Sequence, residues 1–207
     1  MKSAAALEAD LGARLSDRLE LPVRFDAAGL QHDLEVAQRR QAWIAHFVPD
    51  NYAGDWSVIP LRSKAGASHP IMTILSDPAC RDFVDTPTLE DCPYFQEVLA
   101  VFAPSVLSAR LMRLGPGSSI REHRDFDLSF EDGVVRLHIP IATNPEVIFL
   151  LNNAPVAMDA GSCWYLRLSD PHSVANHGVN PRVHLVVDVT VDARLEALLA
   201  RAAKLEA

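Results

Sequence analysis

The fold is decided by residues 108–190, where five short apolar or alternating runs follow one another: SARLMRL (108–114), VVRLHIPI (134–141), EVIFLL (146–151), SCWYLRL (162–168) and RVHLVVDVT (182–190). Connectors rich in Gly, Pro, Asn and Asp separate these runs. Short strands at such regular spacing favour a sandwich or barrel over an alternating βαβ array. We therefore predict a mainly β core with flanking helices.

Helical patterns lie on both sides of this β region. Leucines at every fourth position form one stripe over residues 4–19, which predicts an amphipathic helix. Further helices are predicted for AAGLQHDLEVAQRR running into QAWIAHF, for YFQEVLAVFA, and for ARLEALLARAAKLEA at the C-terminus. WSVIPLRS predicts a strand, and residues 77–93, rich in Pro, Asp and Thr, are expected to be irregular.

Length and composition restrict the class of protein. The 207 residues fit one domain, which we expect to comprise helices in 1–50, a β-rich core in 51–190 and a helix in 191–207. With 27 acidic and 19 basic residues the net charge is −8, so nucleic acid and anionic membranes are not expected partners. No apolar run reaches the length of a membrane span, and the acidic start does not resemble a secretory leader. The three cysteines are widely separated and suit neither a disulfide framework nor a zinc site, so a cytoplasmic location is expected.

The first candidate for chemistry is the tripeptide His123-Arg124-Asp125. On an extended chain, alternate side chains share a face, so His123 and Asp125 point the same way. Two histidines and one carboxylate on one face of an ion are typical of non-haem Fe(II) oxygenases, because they leave open positions opposite. A second histidine must then come from elsewhere.

Four histidines downstream could complete this set: His138, His172, His177 and His184. We favour His172, which follows Pro171 at the edge of a strand, whereas His177 precedes Gly178 in a turn-like context typical of a surface loop. His138 and His184 lie inside predicted strands, each two residues after an arginine.

The arginines of these strands suggest an anionic co-substrate. Arg182 begins a strongly apolar strand, where a guanidinium is unfavourable unless it meets an anion that its planar fork can bind. A metal with open positions beside such an arginine implies a molecule that chelates at one end and carries a carboxylate at the other, which is the shape of 2-oxoglutarate. Two R-x-H strands also predict a polar lumen, although a purely structural role for His184 stays open. Asp188, further along the same face, is expected near a strand end and solvated.

HRDFD, VVRLHIPI, DPHSVANHG and PRVHLVVDV, in this order, resemble the aspartyl/asparaginyl β-hydroxylase family of Fe(II)- and 2-oxoglutarate-dependent dioxygenases, to which some bacterial free-proline hydroxylases are similar. The resemblance extends from about Asn51 to Thr190. It implies a double-stranded β-helix, or jelly roll. It also implies that His123, Asp125 and His172 bind iron, that Arg182 binds the distal carboxylate of 2-oxoglutarate, and that Arg136 and His138 help to hold this co-substrate.

The family resemblance implies a reaction that consumes O₂ and hydroxylates an unactivated C–H bond. The chain is short and has no recognisable protein-docking module, so we expect a small amino-acid-like or peptidyl substrate. Arg62, with the adjacent Ser63, could grip a substrate carboxylate, and a surface salt bridge is an equally good interpretation of Arg62. Two alternatives stay open, a cupin-type metalloenzyme of other chemistry and a non-catalytic jelly-roll binding protein. Oligomeric state cannot be read from the sequence.

Overall fold

The computed structural model describes residues 15–75 and 80–205. The strands within these ranges are β1 Arg18–Glu20, β2 Ile44–Ala45, β3 Tyr52–Ala53, β4 Trp56–Lys64, β5 Phe83–Asp85, β6 Val106–Leu114, β7 Ser119–His123, β8 Val134–Ala142, β9 Val147–Leu151, β10 Ala154–Pro155, β11 Trp164–Leu166, β12 His172–Asn176 and β13 Arg182–Thr190. The helices are α1 Ala27–Arg40, α2 Pro70–Ile74, α3 Pro87–Glu90, α4 Pro93–Ala100 and α5 Ala193–Leu205, with a 3₁₀ turn at Pro49–Asn51.

Two antiparallel sheets form the core. The larger sheet has the order β1-β11-β8-β13-β6-β4-β2, with β5 paired to β4, and the smaller has the order β10-β9-β12-β7-β3. Side chains from both sheets meet in one buried apolar cluster that includes Leu114 of β6, Phe149 of β9 and Val174 of β12. The sheets therefore pack face to face, and the predicted mainly β architecture with flanking helices is confirmed.

Helices cover the outer face of the larger sheet. Helix α1 begins after Asp26, whose carboxylate accepts a hydrogen bond from the Gly29 backbone N–H at 2.8 Å and so caps the helix. Its buried residues Leu30, Leu34 and Ala37 follow helical spacing and join a core cluster that also contains residues of β8, β13, α4 and α5. No helix within the described ranges is long and apolar enough to cross a membrane.

Three expectations about local structure need correction. Residues 1–14 of the predicted first helix lie outside the described residues, and its last part is strand β1, in which Leu19 pairs with Tyr165 of β11. Helix α1 does not continue into QAWIAHF, because Gln41 is extended and Ile44–Ala45 pairs with β4. Within residues 80–93, the segment predicted to be irregular contains β5 and α3. In each strand, pairing with a neighbouring strand overrides the local pattern.

Strand pairing also places the candidate site. His123 ends β7 and His172 begins β12, and the two residues are register partners in the smaller sheet. In the larger sheet β8 and β13 are neighbours, with Asp188 opposite Arg136. Because side chains alternate between the two faces of a strand, the polar residues of β8 and β13 lie on the face toward the smaller sheet.

Candidate active site

His123, Asp125 and His172 form a cluster of potential metal ligands. One ligand atom from each residue lies within 4.8 Å of the other two, and this is the one such group of histidine, cysteine or carboxylate side chains in the described ranges. His123 and His172 face each other across strands, with ring centroids 4.2 Å apart. Asp125 follows β7 by two residues, and its backbone N–H donates to the Leu168 carbonyl at 2.8 Å. Two imidazoles and a carboxylate on one side of a point are the ligand set of a facial triad.

Backbone carbonyls orient both imidazoles. Nδ1 of His123 lies 2.8 Å from the Arg121 carbonyl oxygen, and Nδ1 of His172 lies 3.0 Å from that of Asp170. A carbonyl only accepts, so each Nδ1 carries the proton and each Nε2 keeps its lone pair. Burial lowers the pKa of His172, which favours the neutral imidazole that a metal requires.

A buried ionic network holds Asp125. Arg136 donates from Nη1 to Asp125 Oδ2 at 2.5 Å, while its Nε and Nη2 donate to the two oxygens of Asp188 at 2.7 and 3.1 Å. The prediction that Asp188 is solvated is wrong, because its exposed fraction is 3%. Burial opposes ionisation of Asp188, but the guanidinium groups of Arg110 and Arg136 outweigh burial and hold its pKa far below the usual range.

Another polar group lies deeper between the sheets. Arg182 is 3% exposed, and its Nη2 lies 2.9 Å from Nδ1 of His184, which accepts the hydrogen bond. His184 Nδ1 also lies 3.3 Å from Nδ1 of His138. Nε of Arg182 and Nε2 of His138 are buried and lack a hydrogen-bond partner.

No carboxylate within the described ranges pairs with Arg182. Burial lowers its pKa to about 9, and no acidic neighbour raises it. The guanidinium still carries its charge at neutral pH, surrounded by groups that cannot neutralise it. A buried cation of this kind is unfavourable alone and is suited to an anion that enters from outside.

A cavity of about 320 Å³ connects the two polar groups. Its lining includes the three candidate ligands together with Arg136, His138 and Arg182. This volume is at the lower end of the range for small-molecule sites. The structure thus brings together, around one space, the residues that the sequence analysis assigned to metal and co-substrate.

Some lining residues were missed by sequence reasoning. Arg110 of β6 reaches the cavity, and its Nη2 donates to Asp188 at 3.1 Å. A polar residue within the strand run SARLMRL was the available signal. His46 stacks on Trp56 with ring centroids 3.5 Å apart, and both line the cavity. No signal marked His46, since its segment was assigned to a helix.

Three other predicted residues lie away from this cavity. Arg62 donates from Nη1 to Asp85 at 2.5 Å, which matches its interpretation as a salt bridge, and neither Arg62 nor Ser63 lines the cavity. Ser63 pairs with Val84 of β5. His177 is exposed, and its backbone N–H donates to the Glu146 carbonyl. The structure therefore does not place Arg62 and Ser63 where they could bind a substrate beside the candidate metal ligands.

Comparison with known proteins identifies the family. The sequence profile described as Aspartyl/Asparaginyl beta-hydroxylase matches residues 25–191. The chain belongs to this family. A relative, L-proline cis-4-hydroxylase of Rhizobium meliloti (strain 1021), is 28% identical over 182 residues, which cover 86% of this chain and 62% of that protein.

Solved structures support the fold. A non-heme alpha-ketoglutarate-dependent epimerase from nogalamycin biosynthesis superposes with a TM-score of 0.57 at 11% identity, covering 90% of this chain and 84% of that chain. An oxidoreductase of the 2OG-Fe(II) oxygenase family from Burkholderia pseudomallei gives 0.53 at 16% identity, covering 92% and 94%. The predictions of the family and of the jelly-roll fold are confirmed.

Proposed function

We propose that the protein is an Fe(II)- and 2-oxoglutarate-dependent hydroxylase of a small amino-acid-like substrate. The observation that carries the proposal is the cavity itself, which has three metal-ligand side chains within 4.8 Å of one another and a buried, anion-free guanidinium in its lining. Membership of a hydroxylase family and a relative that is an L-proline cis-4-hydroxylase agree with it.

In this proposal His123, Asp125 and His172 hold the iron. The donor set fits Fe(II), because each imidazole offers an Nε2 lone pair and Asp125 Oδ1 lies 3.6 Å from His123 Nε2. When bound, the iron supplies the chemistry that couples oxidative decarboxylation of 2-oxoglutarate to insertion of one oxygen atom into a C–H bond. The protein's part is to bind, to orient and to exclude water.

Arg182 and His138 bind the distal carboxylate of the co-substrate in this proposal. Both have a buried polar atom without a partner, Nε of Arg182 and Nε2 of His138, and a carboxylate would satisfy them. His184 accepts the hydrogen bond from Arg182 Nη2 and so fixes the orientation of the guanidinium fork. That contact gives His184 a positioning role, where the sequence left a purely structural role open.

The substrate would occupy the part of the cavity lined by Arg110 and Trp56. Arg110 shares the single carboxylate of Asp188 with Arg136, so positive charge exceeds negative charge in this part of the network. A substrate carboxylate would balance it. The stacked rings of Trp56 and His46, with Val58 and Met112, supply an apolar wall for a short aliphatic or ring side chain. A free amino acid or imino acid has both features.

The decisive experiment is incubation with Fe(II), 2-oxoglutarate, O₂ and a panel of free amino acids and short peptides, with succinate and product mass measured together. We expect a product 16 Da heavier than one of the free amino acids, formed with succinate. N-Oxalylglycine should compete with 2-oxoglutarate, and a metal chelator should stop the reaction.

The open alternatives have distinct outcomes in the same experiment. Substrate conversion without 2-oxoglutarate would indicate a cupin-type metalloenzyme of other chemistry. Absence of 2-oxoglutarate consumption with every compound, together with binding of one of them, would indicate a non-catalytic binding protein. A product formed only from peptides would retain the reaction and change the substrate class.

A further inference from the structure

Asp188 is the centre of the largest buried ionic network in the cavity wall. Its two oxygens accept from Arg136 Nε at 2.7 Å, from Arg136 Nη2 at 3.1 Å, from Arg110 Nη2 at 3.1 Å and from the Ser108 hydroxyl at 2.9 Å. The three charged members of the network are 3–7% exposed. Such a network is stable because every charge in it is paired and hydrogen-bonded.

Arg136 extends this network to a candidate metal ligand. Its guanidinium binds Asp188 through Nε and Nη2 and Asp125 Oδ2 through Nη1. Asp188 and Arg136 are register partners on adjacent strands, so the sheet itself sets their relative position. Asp125 instead lies in the connection after β7, next to Phe126, which is 81% exposed. The network therefore ties a loop carboxylate to the rigid sheet.

The same contact leaves the two oxygens of Asp125 in different states. Oδ2 is taken by a charge-assisted hydrogen bond from Arg136, whereas Oδ1 lies 3.6 Å from Nε2 of His123. Only Oδ1 thus remains directed at the other two ligand atoms. A carboxylate without such a clamp can bind a metal through both oxygens, which would occupy one more coordination position.

We propose that Asp188 is a positioning residue of the metal centre, which acts through Arg136 to make Asp125 offer a single oxygen to the metal. This role rests on the proposed function, since it needs the metal site to exist. It also differs from the co-substrate contact that family resemblance implies for Arg136. Its consequence is that the positions opposite the three protein ligands stay available to co-substrate and oxygen.

The test is Asp188→Asn in the full chain, with Mn(II) as the probe in place of iron and without turnover. Electron paramagnetic resonance titration gives the Mn(II) Kd, and water-proton relaxation reports the water molecules on the bound ion. We expect Mn(II) binding about 10–100-fold weaker, as is typical when a partner of a metal ligand is lost. Lower relaxivity per bound ion is also expected, because a released Asp125 would displace a water molecule with its second oxygen.

Two further variants keep the result interpretable. Arg136→Lys retains the cation beside Asp188 but cannot span to Asp125, so it should reproduce both effects even if Asp188→Asn does not fold. Asp33→Asn is the matched control, since Asp33 is another buried carboxylate, whose Oδ2 accepts from the Phe95 backbone N–H at 2.9 Å outside the cavity lining. It should leave the Mn(II) Kd unchanged whatever it does to stability.

The failures are distinguishable. A wild-type chain that binds Mn(II) normally, with unchanged Kd and relaxivity in the folded Asp188 and Arg136 variants, overturns the positioning role alone. A wild-type chain that does not bind Mn(II) at all overturns the metal centre, and the positioning role with it. Equal weakening in Asp33→Asn would show a general effect of losing buried charge and would also overturn the role.

Discussion

Strands β8 and β13 have two faces that are equally buried and chemically opposite. On the outer face Leu137, Ile139, Leu185 and Val187 are 0% exposed and belong to the core cluster shared with the helices. The inner face carries polar side chains that are 1–7% exposed: Arg136, His138, Arg182, His184 and Asp188. Burial of apolar groups stabilises the fold, whereas burial of charges opposes folding unless each is paired. The difference teaches that stability and chemistry are divided between the faces of the same strands.

The inner face is itself divided. Around Asp188 the charges are mutually neutralised and hydrogen-bonded, while Arg182 has a buried charge and an unpartnered Nε. The first arrangement is complete within the protein. The second is complete only when an anion is added, which is why it is the better indication of a ligand.

The largest effect is expected at the metal ligands. His172→Ala should lose Fe(II) or Mn(II) binding and hydroxylation by more than the roughly 10–100-fold that follows loss of an outer partner. The fold should remain, as the outer face is untouched. Metal titration and circular dichroism check this. His177→Ala is the matched control, because His177 is exposed outside the cavity lining, and reversed behaviour of the two variants would contradict the ligand assignment.

Arg182→Met sharpens the contrast between the faces most directly. Loss of one partner of a buried charge pair costs about 2–5 kcal/mol in binding, so 2-oxoglutarate affinity should fall roughly 30- to 4,000-fold. The free protein should become more stable, because an apolar side chain replaces a buried cation without a carboxylate partner. Calorimetric titration and thermal unfolding measure the two quantities, and a destabilised variant with normal 2-oxoglutarate binding would refute the functional interpretation.

Leu137→Ala addresses the outer face. Leu137 lies next to His138 in sequence but points into the helix-packed core. Truncation of a fully buried leucine costs about 2–5 kcal/mol in the free energy of unfolding. Denaturant titration should show this loss, while the 2-oxoglutarate Kd of the folded protein changes little. A large change in Kd at unchanged stability would show that the two faces are not independent.

The smallest effect is expected for Arg62→Ala. Its ion pair with Asp85 is partly exposed, and such pairs contribute about 0–1 kcal/mol. Substrate KM should stay within about twofold, because Arg62 does not line the cavity. An increase in KM of tenfold or more would restore the substrate-binding role predicted from the sequence.

Much of the fold could be predicted because hydrophobic periodicity is a local property. The alternation in VVRLHIPI and RVHLVVDVT assigned both strands and also told which residues share a face. The errors fall where pairing between distant segments decides, as for Leu19 in β1 and Ile44–Ala45 in β2. Local pattern contains no information about such partners.

For the candidate site, the residue types and the family motifs are determined by the sequence alone. Which oxygen of Asp125 is clamped, where Asp188 lies, and that Arg110 and His46 reach the same cavity as His123 were decided only by the tertiary structure. The physical reason is that burial and pairing of charge depend on which strands become neighbours. A carboxylate near a strand end is solvated or deeply buried according to what the rest of the chain packs around it.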